Sequence, residues 1–151
     1  MKLRSMGNYQ FGKGIGDALF LDEVEIRLSK RTGKIRYIYL KGKLMATVRA
    51  KDNFIALTIS GARELLKYID KPRFRVVVTE DVEEMIVEGR DLFAKHVVEA
   101  DTQIRPMEEV VITNSKDEVV AVGKALLTGE EMLLFKHGKA VRVRMGVKNA
   151  A

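Results

Sequence analysis

The chain has no cysteine and no tryptophan, and only two prolines and two histidines among 151 residues. Without cysteine there is no disulfide framework, no thiolate metal site and no thiol nucleophile, so a reducing cytoplasm is the expected compartment. His96 and His137 alone do not make a zinc site, and neither a metal nor a cofactor is expected. No apolar run approaches membrane-spanning length, and Lys2 and Arg4 are not followed by the apolar core of a signal peptide. Negative charge is missing from one long stretch. From Ile26 to Lys51 there are nine basic residues (Arg27, Lys30, Arg31, Lys34, Arg36, Lys41, Lys43, Arg49, Lys51) and no carboxylate.

What is present points to a folded chain. Hydrophobic residues make up 46%, enough for packed cores, and charged residues 32%, with lysine, arginine and glutamate dominant as in heat-adapted proteins. The net charge of +6 is unevenly spread. Residues 1–72 carry 15 Lys and Arg against 7 Asp and Glu, a net of +8, whereas 73–151 carry 12 against 14, a net of −2. A polyanionic partner is therefore expected to feel the first half most strongly. The basic stretch either neutralises phosphates, which would make binding salt-dependent, or forms a solvated face; the lack of any acid in it favours the first reading.

Glycines 7, 12, 14 and 16 superficially resemble a phosphate loop, but no strand precedes them and no long helix follows. A turn after a short N-terminal helix is the expected structure. Alternation of Val24, Ile26 and Leu28 with Glu25 and Arg27 predicts a strand. Ile35 to Leu40 and Lys43 to Ala50 read as a hairpin closed by Lys41-Gly42, a register that places Tyr37, Tyr39, Ala46 and Val48 on one face and Arg36, Thr47 and Arg49 on the other. Phe54 to Ile59 reads as a strand, followed by a helix capped by Ser60 that buries Leu65, Leu66 and Ile69. Pro72 cannot continue a helix and marks the domain boundary, giving domains 1–72 and 73–151.

In the second half, Arg73 to Val78 predicts a strand and Thr79 the start of a helix burying Val82, Met85 and Ile86, with Gly89 as its C-terminal cap. Leu92 to Val98 reads as a strand. Val110 to Thr113 and Val119 to Val122 flank an Asn114 to Asp117 turn, and Gly123 marks a bulge. Thr128-Gly-Glu-Glu131 is a capping box, and Ala140 to Met145 alternates Val141, Val143 and Met145 inward with Arg142 and Arg144 outward. Many short strands with two small helices imply a small mixed barrel.

Glu88-Gly-Arg-Asp-Leu-Phe-Ala-Lys-His-Val-Val, Ala100-Asp-Thr-Gln-Ile-Arg-Pro, Glu109-Val-Val, Ala121-Val-Gly-Lys-Ala and Gly138-Lys-Ala-Val-Arg-Val-Arg resemble a PUA domain, an RNA-binding module of pseudouridine synthases and archaeosine transglycosylases. Asn8-Tyr-Gln-Phe-Gly-Lys-Gly, Arg31-Thr-Gly-Lys-Ile-Arg-Tyr and Thr47-Val-Arg-Ala are similar to the domain preceding that module in archaeosine tRNA-guanine transglycosylase. The resemblance implies an archaeal α+β protein: a cystatin-like pre-PUA domain, antiparallel sheet with helices, then a PUA-type mixed β-barrel. It implies RNA as partner, and tRNA in particular, but no chemistry. The transglycosylase catalytic barrel has no place in a chain of this length, so the expected role is a non-catalytic docking or accessory factor in tRNA modification, working with a separate enzyme chain. An adaptor that recruits a protein through the acidic second half is the alternative.

One departure falls at Met107-Glu108, where the family usually has Gly-Asp, so the turn must form without glycine. Carried onto this chain, the RNA-contacting positions are Gly89, Arg90, Lys95, His96, Arg142 and Arg144, with Arg36 and Arg49 added from the basic hairpin. Gly89 would let a backbone approach, and the cations would meet phosphates and 2′-hydroxyls of a stem. Blander roles stand beside these: a helix cap for Gly89, a packed histidine at His96 and a soluble edge for Arg142 and Arg144. No catalytic and no metal-binding residue is expected.

Overall fold

The computed structural model describes residues 2–150, which divide between Ile69 and Asp70 into two compact units. No described helix is long and apolar enough to cross a membrane.

The first unit opens with α1 (Lys2–Phe11) and the short α2 (Ile15–Leu19). The helix runs further into the glycine-rich segment than expected, and Gly7 lies inside it. A Cβ on Gly7 would stand 2.7 Å from the Cα of Gly16 and 2.9 Å from the Phe20 ring, so these two glycines let α1 and α2 approach closely. The phosphate-loop reading is also excluded chemically. The Gly16 and Asp17 amides at the start of α2 already donate to Asn8 Oδ1, at 2.6 and 3.3 Å.

Strands β1 (Glu25–Leu28), β2 (Ile35–Leu40), β3 (Lys43–Val48) and β4 (Ile55–Leu57) form an antiparallel sheet in sequence order. Lys41 and Gly42 have φ of 51° and 81°, both positive as a two-residue primed turn demands. Pairing begins as expected, with Tyr39 opposite Leu44, but a bulge then shifts it, and Tyr37 faces Thr47 rather than Ala46. The buried face consequently carries Ile38, Ala46, Val48, Ile55 and Leu57, while Tyr37 and Tyr39 lie on the opposite face. The expected grouping of Tyr37 and Tyr39 with Ala46 and Val48 on one face is thereby corrected.

The covering helix α3 (Ile59–Leu66) is capped by Thr58, not Ser60: the Thr58 hydroxyl accepts from the Gly61 amide at 3.1 Å and donates to the Leu44 carbonyl at 2.6 Å. Ile59, Ala62 and Leu65 complete a core with Leu3, Phe11, Leu19 and Phe20. Each of the large side chains contributes roughly 1.5–3 kcal/mol by leaving water.

The second unit is a nearly closed mixed barrel. Its six strands, β5 (Arg75–Val78), β6 (Leu92–Phe93), β7 (Val97–Ala100), β8 (Glu109–Thr113), β9 (Val119–Ala125) and β10 (Lys139–Gly146), follow the order β6-β10-β9-β8-β5-β7. Only β5 and β8 are parallel. Helices α4 (Glu80–Val87) and α5 (Gly129–Leu134) complete it, and α5 carries the expected capping box, Glu131 amide to Thr128 hydroxyl at 3.0 Å and Thr128 amide to Glu131 carboxylate at 2.8 Å.

The core is branched aliphatic, with Val76, Val78, Ile104, Val110, Ile112, Val120 and Val141 meeting Val82 and Ile86 from α4 and Met132 from α5. Two buried carboxylates have structural partners. Asp101 accepts from the Phe74 and Gln103 amides, both at 2.9 Å, and Glu109 binds the Arg144 guanidinium through both oxygens. Buried Arg75 holds Asp117 at 2.8 and 3.1 Å, anchoring the turn after β8.

At the Met107 corner, where a glycine was missing, the methionine itself takes φ 76°. The turn closes through the Met107 amide donating to the Ala125 carbonyl at 2.7 Å and the Arg105 amide donating to Glu108 at 2.6 Å.

Candidate nucleic-acid interface

The edge strands of the six-stranded sheet, β6 and β7, are adjacent in the chain, and the structure joins them by a 3₁₀ turn, Ala94–His96. The continuous strand expected from Leu92 to Val98 is thus broken. The reason is local: the Ala94 amide donates to the Gly138 carbonyl at 2.9 Å, Leu92 and Ala94 are both buried, and the backbone must turn to bring β7 against β5.

A groove of about 410 Å³ opens at this seam. Val82, Met85 and Ile86 of α4 form one wall, Gly89, Arg90 and Asp91 the rim, and Phe93, His96 and Lys139 the rest. Met85, expected in the buried stripe of its helix, is 40% exposed, and Phe93 is 42% exposed. The groove therefore combines apolar surface with two cations, Arg90 and Lys139, the imidazole of His96 and one carboxylate, Asp91.

Its geometry is braced from two directions. Gly89 has φ 99°, and its amide donates to the Ile86 carbonyl at 3.0 Å, so it does cap α4. A Cβ there would also stand 2.7 Å from Asn149 Oδ1, whose side chain accepts from the Gly146 amide at 3.0 Å. Asp91 Oδ1 accepts from the Val143 amide at 2.9 Å and Oδ2 from Lys139 Nζ at 3.1 Å, tying the rim to β10. His96 is half-buried and lines the groove, and its carbonyl accepts from the Thr79 amide at 3.2 Å.

Gly89, Arg90 and His96 are thus brought together. Lys95 is exposed on the 3₁₀ turn and does not line the groove. Arg142 is exposed on β10, while Arg144, at a bulge where Val143 faces Gly123 and Met145 faces Val122, turns to buried Glu109. Phe93, Met85, Asp91 and Lys139 were missed. Phe93 had a usable signal, an aromatic inside the most recognisable motif of the chain.

In the first unit, Arg36 is exposed, with its guanidinium 5.6 Å from the Tyr37 ring centre. Arg49 is engaged: it holds Asp52 through two bonds of 2.8 and 2.5 Å and lies 5.0 Å over the Phe54 ring. Hydrogen bonding from Arg49 holds the Asp52 carboxyl down at about 2. Arg49 thus braces the turn at 49–54 before it meets any ligand.

Residues 1–72 match the family model described as the patch-forming domain C2 of tRNA-guanine transglycosylase, and residues 74–147 match the PUA domain. A tRNA-guanine(15) transglycosylase of Pyrococcus abyssi is 47% identical over 143 residues, covering 95% of this chain and 24% of that protein. The Methanothermobacter thermautotrophicus enzyme of the same name is 45% identical, covering 96% and 22%. The chain therefore spans about a quarter of the length of these relatives and corresponds to their C-terminal region. Among solved structures, a hypothetical protein from Pyrococcus horikoshii has a TM-score of 0.78 at 25% identity, covering 99% of this chain and 93% of that one. A conserved PUA-domain protein from Thermoplasma acidophilum has a TM-score of 0.67 at 27% identity, covering 96% and 85%.

Proposed function

We propose, from the premise that this chain is a PUA-domain protein resembling over nearly its whole length the C-terminal region of tRNA-guanine transglycosylases, that it docks tRNA for modification without itself performing the chemistry. The observation that carries this reading is the groove at the barrel seam. Arg90 supplies positive charge, Lys139 a second cation that it shares with Asp91, His96 a polar ring, and Phe93 with Met85 exposed apolar surface. Cations beside exposed apolar surface suit a ribose-phosphate backbone with an exposed base or terminal pair. Gly89, Arg90, Lys95, His96 and Arg142 form the RNA-facing set of this unit, and Arg36 belongs to that of the first. Arg144 and Arg49 act chiefly as braces. A separate enzyme chain supplies the reaction.

Binding of tRNA measured over a range of salt concentrations tests this. Affinity should fall steeply with salt, and Arg90→Glu with Lys139→Glu should weaken tRNA by about tenfold or more, more than it weakens duplex DNA. Salt-indifferent binding, or equal affinity for duplex DNA, sinks the proposal.

A second reading, a protein-recruiting adaptor, is favoured by α5 and the residue after it, where Leu133, Leu134 and Phe135 are exposed, Leu134 by 75%. A partner retained after nuclease treatment and lost in Leu134→Lys supports it.

A further inference from the structure

The bulge between β2 and β3 leaves the four-stranded sheet with an aromatic outer face. The helix-covered face holds Ile38, Ala46, Val48, Ile55 and Leu57. On the other, Tyr37 and Tyr39 stand two residues apart along β2, so their rings emerge roughly 6.6 Å from each other along the strand. Register places Arg27 opposite Tyr37 and Glu25 opposite Tyr39 across β1. The Arg27 guanidinium reaches diagonally to sit 4.7 Å over the Tyr39 ring, and Arg36 lies 5.6 Å from that of Tyr37. Tyr37 is 38% exposed.

Arginine–aromatic pairs across strands are ordinary stabilisers of a sheet. Here they coincide with two further facts. The rings lie at a water-facing surface, and the surrounding stretch from Ile26 to Lys51 holds nine cations and no carboxylate. Glu25, the acid on this face, accepts from Arg27 at 3.4 Å. A solvated face needs the charges and not the rings, and an apolar protein partner needs the rings and not the charges. A single-stranded nucleic acid uses both, with phosphates against cations and bases stacked on tyrosine and guanidinium planes.

We propose that this face binds unpaired RNA by stacking, with Tyr37 and the Arg27–Tyr39 pair as its platforms. The proposal deepens the RNA-docking reading and rests on it: the barrel groove meets one part of a folded RNA, and this sheet holds unpaired nucleotides.

The test uses the full chain and two probes, an unstructured RNA of about twelve nucleotides and a blunt RNA duplex of similar length. Replacing Tyr37→Ala and Tyr39→Ala together should lower affinity for the unpaired probe about tenfold or more, with duplex binding within about twofold of the parent. Replacing both by Phe keeps the affinity, and equal melting temperatures of the two variants separate lost stacking from lost folding. Because the chain has no tryptophan, tyrosine emission is directly readable, and the unpaired probe should quench it in the parent and leave the Phe variant's residual emission unchanged. Unchanged affinity in the Ala variant assigns the face to another partner or to solvent and overturns the proposal, as does an equal loss for both probes. If the parent binds tRNA but not the unpaired probe, the stacking surface alone falls; if it binds neither, the docking reading falls with it.

Discussion

Met107 shows what one residue type costs at one position. With φ 76° it occupies the left-handed region, where a side chain crowds its own backbone by roughly 1–2 kcal/mol and glycine does not. Glycine adds disorder to the unfolded chain, offsetting about half of that gain. Met107→Gly should therefore raise stability by up to about 1 kcal/mol, read as a higher melting temperature; a lower one would show that the exposed methionine stabilises by packing. The strain was legible in advance because the neighbouring motif calls for glycine. Other residue roles were not. Arg49 and Arg144 read as free cations, and their commitments come from partners that only folding supplies: Asp52 across a tight turn, Glu109 across two strands. His96 was ambiguous while Leu92 to Val98 was taken as one strand, because alternation assigns no face inside a 3₁₀ turn.

Strand β10 serves two purposes. Its Lys139 end lines the groove, and its Arg144 end neutralises a carboxylate whose side chain is 1% exposed. Removing the cation from a buried pair costs far more than removing a surface charge. Arg144→Ala should thus destabilise the barrel by roughly 3 kcal/mol in chemical denaturation, and Arg142→Ala by less than about 0.5 kcal/mol. Equal effects would mean that Glu109 is held by its other neighbours. Element by element, strands with clean alternation, the Asn114 to Asp117 turn and the Thr128 capping box were readable, since each is set by residues near in sequence. The bulge opposite Leu44 was not. It accompanies the burial of Met45, Ala46 and Val48 together, a tertiary outcome that strict alternation along the strand does not encode.

For the molecule as a whole, the α+β architecture and the barrel were legible from ordered motifs, while the groove was only half so, because helical periodicity places Met85 in the buried stripe and nothing local brings Phe93 and Lys139 together. Charge divides the labour. With +8 on residues 1–72 and −2 on 73–151, long-range attraction to RNA belongs to the first stretch. Arg31→Glu with Arg36→Glu should weaken tRNA and duplex DNA alike and reduce the salt slope by about two, unlike the groove substitutions. Selective loss of tRNA alone would assign these arginines to recognition instead.

The closing of the barrel also sets when the groove comes into being. Asp91 is held by Lys139 and Val143, which lie 48 and 52 residues further along, and among the described residues β6 pairs with β10 alone. A chain still being synthesised, with β10 not yet made, has the motif from Gly89 to Val98 but no groove. The groove therefore comes into being only after β10 has been made and has paired, so topology alone delays this surface until nearly all of residues 73–151 are in place.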